Sequence, residues 1–203
     1  HWTMANKNPD EKINGRRSIA SHYYPLIGPY DSNDSDYLEY ALICMKLSGI
    51  DGVLIDFYGQ SKFNDYPQLL TASNAVIEMC EKVGLEFAIV YEDRTIKSIL
   101  DQGGGNKIGL AKNDLLYIEK NYFPKSHYIN IKNKPILLNF GPITLTSNED
   151  WENIFSEIIT DFYFFPLAYH PQYYDLNTIA DGVYSWVGEA QSDDFYNYGK
   201  QFD

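Results

Sequence analysis

Cysteine is scarce in this chain: Cys44 and Cys80 are the only two among 203 residues. Two thiols build neither the disulfide framework of a small secreted scaffold nor a thiolate metal cluster. Each falls in an apolar helical stretch, where a free cysteine acts as a small core hydrophobe. Positive charge is also short, with 16 Lys and Arg against 28 Asp and Glu and a net charge of −12. Nucleic acid and anionic membrane surfaces favour the opposite sign, so neither is expected as a partner. Apolar runs such as Gly84–Tyr91 stop well short of the ~20 residues of a membrane span. No Gly-x-Gly-x-x-Gly follows the first expected strand and no P-loop occurs, which removes the usual phosphate cradles. Nor is there a His-x-x-x-His pair, a carboxylate-rich loop with ligand spacing, or a nucleophile elbow around Ser61, Ser73 or Ser185. No metal or cofactor is therefore expected, and a Ser/His/Asp hydrolase is disfavoured.

What is present points to a packed core. The chain is 44% hydrophobic and 22% charged, with 18 tyrosines, 11 phenylalanines and 3 tryptophans, which excludes disorder and coiled coil as the main state. Its length suits one domain over residues 1–203, with residues 1–17 as an extended lead-in. The first residue is His1 with no basic-then-apolar leader after it, so a leader has been removed or the chain is a piece of a longer one.

Apolar runs alternate with helical periodicity. Ile19–Pro25, Val53–Phe57, Leu85–Tyr91, Pro135–Asn139, Phe162–Pro166 and Val183–Val187 read as strands. Tyr37–Leu47, Tyr66–Val83, Gly109–Tyr122 and a helix running to Ile159, opened by a Thr146/Glu149 capping box, read as helices, with Asp193–Phe202 as a last one. These make six strand-then-helix units with parallel strands. A doubly wound sheet and a TIM (β/α)₈ barrel both fit. The barrel is favoured because polar and aromatic residues collect where different strands end, and a barrel brings those ends to one mouth. Six units and 203 residues fall short of the eight units and ~250 residues of a complete barrel, so the barrel is expected to be incomplete in this chain.

The sharpest of these strand ends is Tyr91-Glu92-Asp93-Arg94. A carboxylic acid with a raised pKa can protonate a leaving oxygen while a second carboxylate activates water or stabilises an oxocarbenium ion. Glu92 is the first candidate, with Asp56 or Asp93 as partner, although neighbouring residues on a strand point to opposite faces. The structural alternative has Asp93 capping the next helix and Arg94 pairing with Glu92. His22, Tyr23, Tyr24, Tyr58, Tyr91, Asn139, His170, Trp186 and Glu189 are expected to line the substrate site. Aromatic faces there would stack on sugar rings, so an oligo- or polysaccharide is the expected substrate.

Three stretches carry a family resemblance: Ile19-Ala-Ser-His-Tyr-Tyr-Pro-Leu-Ile-Gly-Pro-Tyr-Asp-Ser, Gly49-Ile-Asp-Gly-Val-Leu-Ile-Asp-Phe-Tyr-Gly and Val83-Gly-Leu-Glu-Phe-Ala-Ile-Val-Tyr-Glu-Asp-Arg-Thr. Together they resemble the glycoside hydrolase family 71/99-like proteins of Bacteroides-type bacteria, over roughly Arg16 to Trp186. The resemblance implies a (β/α)₈ barrel, export to the periplasm, cell surface or medium, and hydrolysis of an α-linked mannan- or glucan-like glycan. Family 99 places one catalytic Glu where Glu92 stands and a second three residues later, where this chain has Thr95. That departure passes the second role to Asp56, Asp93 or a carboxylate of further β/α units. It also suggests a rival, a non-catalytic glycan-binding barrel; a second rival, from another class, is a doubly wound esterase or nucleotide-type enzyme, which the missing Gly-rich and elbow motifs disfavour.

Overall fold

Four of the apolar runs become parallel neighbours in one sheet. The computed structural model describes residues 7–167, 176 and 178–184. A minimal hairpin of β1 (Lys12–Ile13) and β2 (Arg16–Arg17) precedes α1 (Ser35–Leu47). There follow β3 (Gly52–Phe57), α2 (Tyr66–Val83), β4 (Glu86–Tyr91), α3 (Arg94–Asp101) and α4 (Lys107–Asn121). The last elements are β5 (Asn130–Ile131), β6 (Lys134–Asn139), α5 (Asn148–Phe155) and β7 (Tyr163–Pro166). β3, β4, β6 and β7 are parallel and lie side by side in chain order, while β5 folds back antiparallel on the start of β6.

Chain order equal to spatial order is informative. A doubly wound sheet reverses its order at a switch point and binds ligand there. No reversal occurs among the described strands, which form the arc of a singly wound sheet. The helix boundaries follow local chemistry. Asp34 caps α1 by accepting from the Asp36 and Tyr37 amides, and α2 opens with Pro67 and ends on Gly84 in the left-handed region at φ 73°. At the β5–β6 turn Lys132 and Asn133 both have positive φ, as a two-residue hairpin requires.

The sheet has two unlike faces. Phe57, Tyr91, Leu137 and Phe164 lie in register or alternate onto one side. There Phe57 packs on Tyr117 and Tyr122 around α4, and Phe164 on Trp151 and Phe155 of α5. The opposite side carries Leu54, Asp56, Ala88, Val90 and Leu138. It is sealed over β4 and β6 but open at β3, where Leu54 is 54% exposed. No described strand pairs with the outer edge of β3.

Several expectations need correction. Ile19–Pro25 is irregular rather than a strand, because its backbone pairs with no neighbouring strand among the described residues. The helix expected to run to Ile159 ends at Phe155, and its cap is Ser147, accepting from Asp150 N, not Thr146. The helix expected after Asp93, given no bounds from sequence, is α3. Of the Val183–Val187 strand, Tyr184 makes a parallel bridge to Leu167, and residues 185–187 lie outside the described residues, as does the helix expected at 193–202. The described strands form an open row, and a closed barrel is not formed by the described residues.

Candidate active site

β4 is buried on both faces from Phe87 to Tyr91, and its rigidity fixes whatever follows it. The Glu92 amide extends the ladder by donating to Phe57 O at 3.0 Å. Glu92 keeps the alternation of Ala88 and Val90, so its side chain shares the face of Asp56, which sits opposite Val90 in β3. Glu92 is only 7% exposed. It accepts from the Arg94 backbone N–H, while its buried Oε1 has no hydrogen-bond partner among the described residues. Desolvation raises its carboxyl to about 7, with repulsion from Asp56 and then Asp93 adding and Arg94 opposing.

Asp56 is open to solvent on its outer side. The protein around its carboxyl still desolvates it enough to raise it, and a hydrogen bond with Tyr58 works against that rise. The Tyr58 phenol is in turn pushed to about 12, by burial first and then by the charges of Asp56, Glu92 and Asp65. Its ring lies 6.0 Å from that of Tyr66. Asp56, Tyr58 and Glu92 therefore form one electrostatic cluster at the C-terminal ends of β3 and β4. Both carboxyls are raised by desolvation, Glu92 further by the charge of Asp56, while the Tyr58 hydrogen bond opposes the rise at Asp56.

Other expected site residues are committed elsewhere. Asp93 is fully buried and accepts from the backbone amides of Ile143, Thr144 and Leu145 at 2.9, 2.7 and 2.8 Å. Burial still raises its pKa, against those bonds and one from Asn139. Its oxygens are thereby taken up in pinning the loop after β6. It occupies the position before α3 without capping it through its side chain. Tyr91, expected at the substrate site, has its ring fully buried on the helix-facing side, and its hydroxyl donates to Asp114 Oδ2 at 3.0 Å. Asn139 is fully buried, donating from Nδ2 to Tyr91 O at 2.8 Å. Its Oδ1 has no partner among the described residues.

His22 and Tyr23 stand in the irregular lead-in, exposed and edge-to-face at 4.7 Å, with Tyr23 81% exposed. Tyr24 is tied to the hairpin, its hydroxyl accepting from Arg17 N at 3.3 Å and its ring under Arg16. None of the three extends the sheet. His170, Trp186 and Glu189 lie outside the described residues. Among the described residues no group of three or more His, Cys, Asp or Glu is arranged to hold a metal ion, and no helix is long and apolar enough to cross a membrane.

Sequence reasoning missed Asp114. It follows Ala111 by three residues and precedes Ile118 by four, which puts a carboxylate on the buried stripe of α4. That spacing was the available signal.

No family's sequence profile matches the chain, and no curated protein does. Solved structures do. The GH99 endo-α-mannosidase from Bacteroides thetaiotaomicron superposes with a TM-score of 0.62 at 16% identity, covering 86% of this chain and 50% of that one. Its complex with bis-tris-propane gives 0.67 at 17% identity, covering 96% of this chain and 62% of that one. A glycoside hydrolase-like protein gives 0.60 at 14% identity, covering 88% and 59%. The chain spans about half to three-fifths of the length of these structures. What they share with it is a fold, that of glycoside hydrolase-like α/β proteins.

Proposed function

We propose that the protein is a glycoside hydrolase acting on an α-linked, mannan- or glucan-like glycan. The observation that carries this reading is Glu92. A nearly buried carboxyl with a pKa near neutrality and an unpartnered oxygen faces a second carboxylate, Asp56, at the C-terminal ends of neighbouring parallel strands. Protonated Glu92 acts as general acid on the glycosidic oxygen. Asp56, whose rise in pKa the Tyr58 hydrogen bond opposes, serves as base or electrostatic stabiliser of the positive sugar carbon. The arc of sheet is read as part of a (β/α)₈ barrel whose mouth holds this pair, in a protein exported to reach its polysaccharide.

The test is a purified-glycan screen for released reducing ends, wild type against Glu92→Gln. Turnover by the wild type that Glu92→Gln abolishes supports the assignment, and equal turnover by both defeats it.

A second reading, a glycan-binding barrel without catalysis, is favoured by Thr95. Where the resemblance calls for a second Glu, this side chain is buried in α3 and donates to Glu92 O at 2.9 Å. Calorimetric sugar binding by wild type with no reducing ends released would select this reading.

A further inference from the structure

Asp114 lies across the sheet from Asp56 and Glu92, yet its contacts lead to them. Its Oδ1 accepts from Gln60 N at 2.8 Å and its Oδ2 from the Tyr91 hydroxyl at 3.0 Å. Gln60 adds a bond from Nε2 to Asn113 O at 2.8 Å. Gly59 between them has φ 82°, and a Cβ there would overlap the Asp114 carboxylate. The turn leaving β3 is thus seated on α4 through one buried carboxylate, with a glycine where no other residue fits. The same turn begins with Tyr58, whose hydroxyl bonds Asp56. Tyr91 immediately precedes Glu92.

We propose that Asp114 is a positioning residue for the candidate site: it fixes the Tyr58–Gln60 turn and the end of β4 together, so that Tyr58 holds Asp56 against Glu92. A buried carboxylate held by neutral donors alone carries a desolvation cost, and burial pushes this one up to about 6. The groups acting on Glu92 are Asp56 and Asp93, which raise it, and Arg94, which lowers it. Asp114 is not one of them, and Tyr91→Phe, which removes no charge, separates an effect of position from the loss of the Asp114 charge. The inference rests on the glycosidase reading for its kinetic consequence alone.

The experiment follows the Glu92 carboxyl by ¹³C NMR in protein labelled at glutamate side chains, assigned with Glu92→Gln. Wild type is expected to titrate near pH 7. In Asp114→Asn, with its circular dichroism retained, the turn loosens, Asp56 moves off, and the midpoint falls by about half a pH unit or more. The limb of the kcat–pH profile set by Glu92 should fall by the same amount. Tyr91→Phe, which deletes one hydroxyl, should shift both in the same direction and reads the effect if Asp114→Asn does not fold. A Glu92 midpoint equal to wild type in the folded variants overturns the proposal. The titration needs no substrate, so a wild type that cleaves no glycan would sink the glycosidase reading while leaving this one to stand or fall on its own shift.

Discussion

Glu92 and Asp93 are adjacent in the chain and opposite in character. Asp93 is held immobile, with three backbone amides, Ile143, Thr144 and Leu145, aimed at its oxygens and opposing the rise in pKa that burial imposes. Glu92 has one backbone donor and a buried oxygen with no partner among the described residues. The step from one to the next crosses from a carboxylate that builds the molecule to one left available for a proton. Satisfied buried charge is architecture, and unsatisfied buried acid next to another acid is a candidate for chemistry.

The strongest way to break this contrast is to exchange the two residues' tests. Glu92→Gln should lower glycan turnover by ~10²–10⁴-fold while its melting temperature at pH 7 stays at or above that of the wild type. Asp93→Ala should do the reverse. It orphans buried amides and releases the loop after β6, costing about 3–5 kcal/mol in urea unfolding. If Asp93→Ala unfolds at the wild-type midpoint and turnover alone suffers, the two roles have been assigned the wrong way round.

Part of this contrast was legible in the sequence. The strands β3, β4 and β6 announced themselves because long apolar runs such as Phe87–Val90 have no other stable place, and α2 was bracketed by Pro67 and Gly84. The convergence of residues 56, 58 and 92 follows from strand alternation plus parallel register. What sequence could not separate was Glu92 from Asp93, since the donors that claim Asp93 come from about fifty residues away. Ile19–Pro25 misled because an apolar, aromatic run is strand-like only if a partner edge takes it. α3 was given no bounds because it is only eight residues long, although Thr95, Ile96 and Ile99 give it a clear buried face.

A pH series sharpens the contrast further. Glu92 has a folded pKa of about 7 against 4.5 in the unfolded chain. Below pH 4.5 both states hold the proton and there is no penalty. Between 4.5 and 7 the unfolded state releases it first, so stability falls as pH rises, by at most about 3 kcal/mol from this group. Asp56, Asp93 and Asp114 are raised too and act in the same sense. The difference between wild type and Glu92→Gln isolates the Glu92 part. Equal slopes of unfolding free energy from pH 4.5 to 7.5 would mean that Glu92 is an ordinary, solvated carboxylate.

The smallest effect concerns Thr95, beside Glu92 in space as well as in sequence. Its hydroxyl donates to Glu92 O, but that carbonyl also accepts the Thr95 amide at 3.2 Å. Thr95→Val therefore removes a hydrogen bond without orphaning the acceptor, and the methyl fills the space the hydroxyl leaves. The expected cost is about 1 kcal/mol in chemical unfolding, at the modest end for a buried bond. Turnover, if Glu92 and Asp56 supply both carboxylate roles, should stay at the wild-type level, because Thr95 points into the turn of α3 rather than toward the open face. A large fall in turnover in a folded Thr95→Val would show that the hydroxyl takes part in the chemistry. The line between building and reacting groups would then run through α3 and not between Glu92 and Asp93.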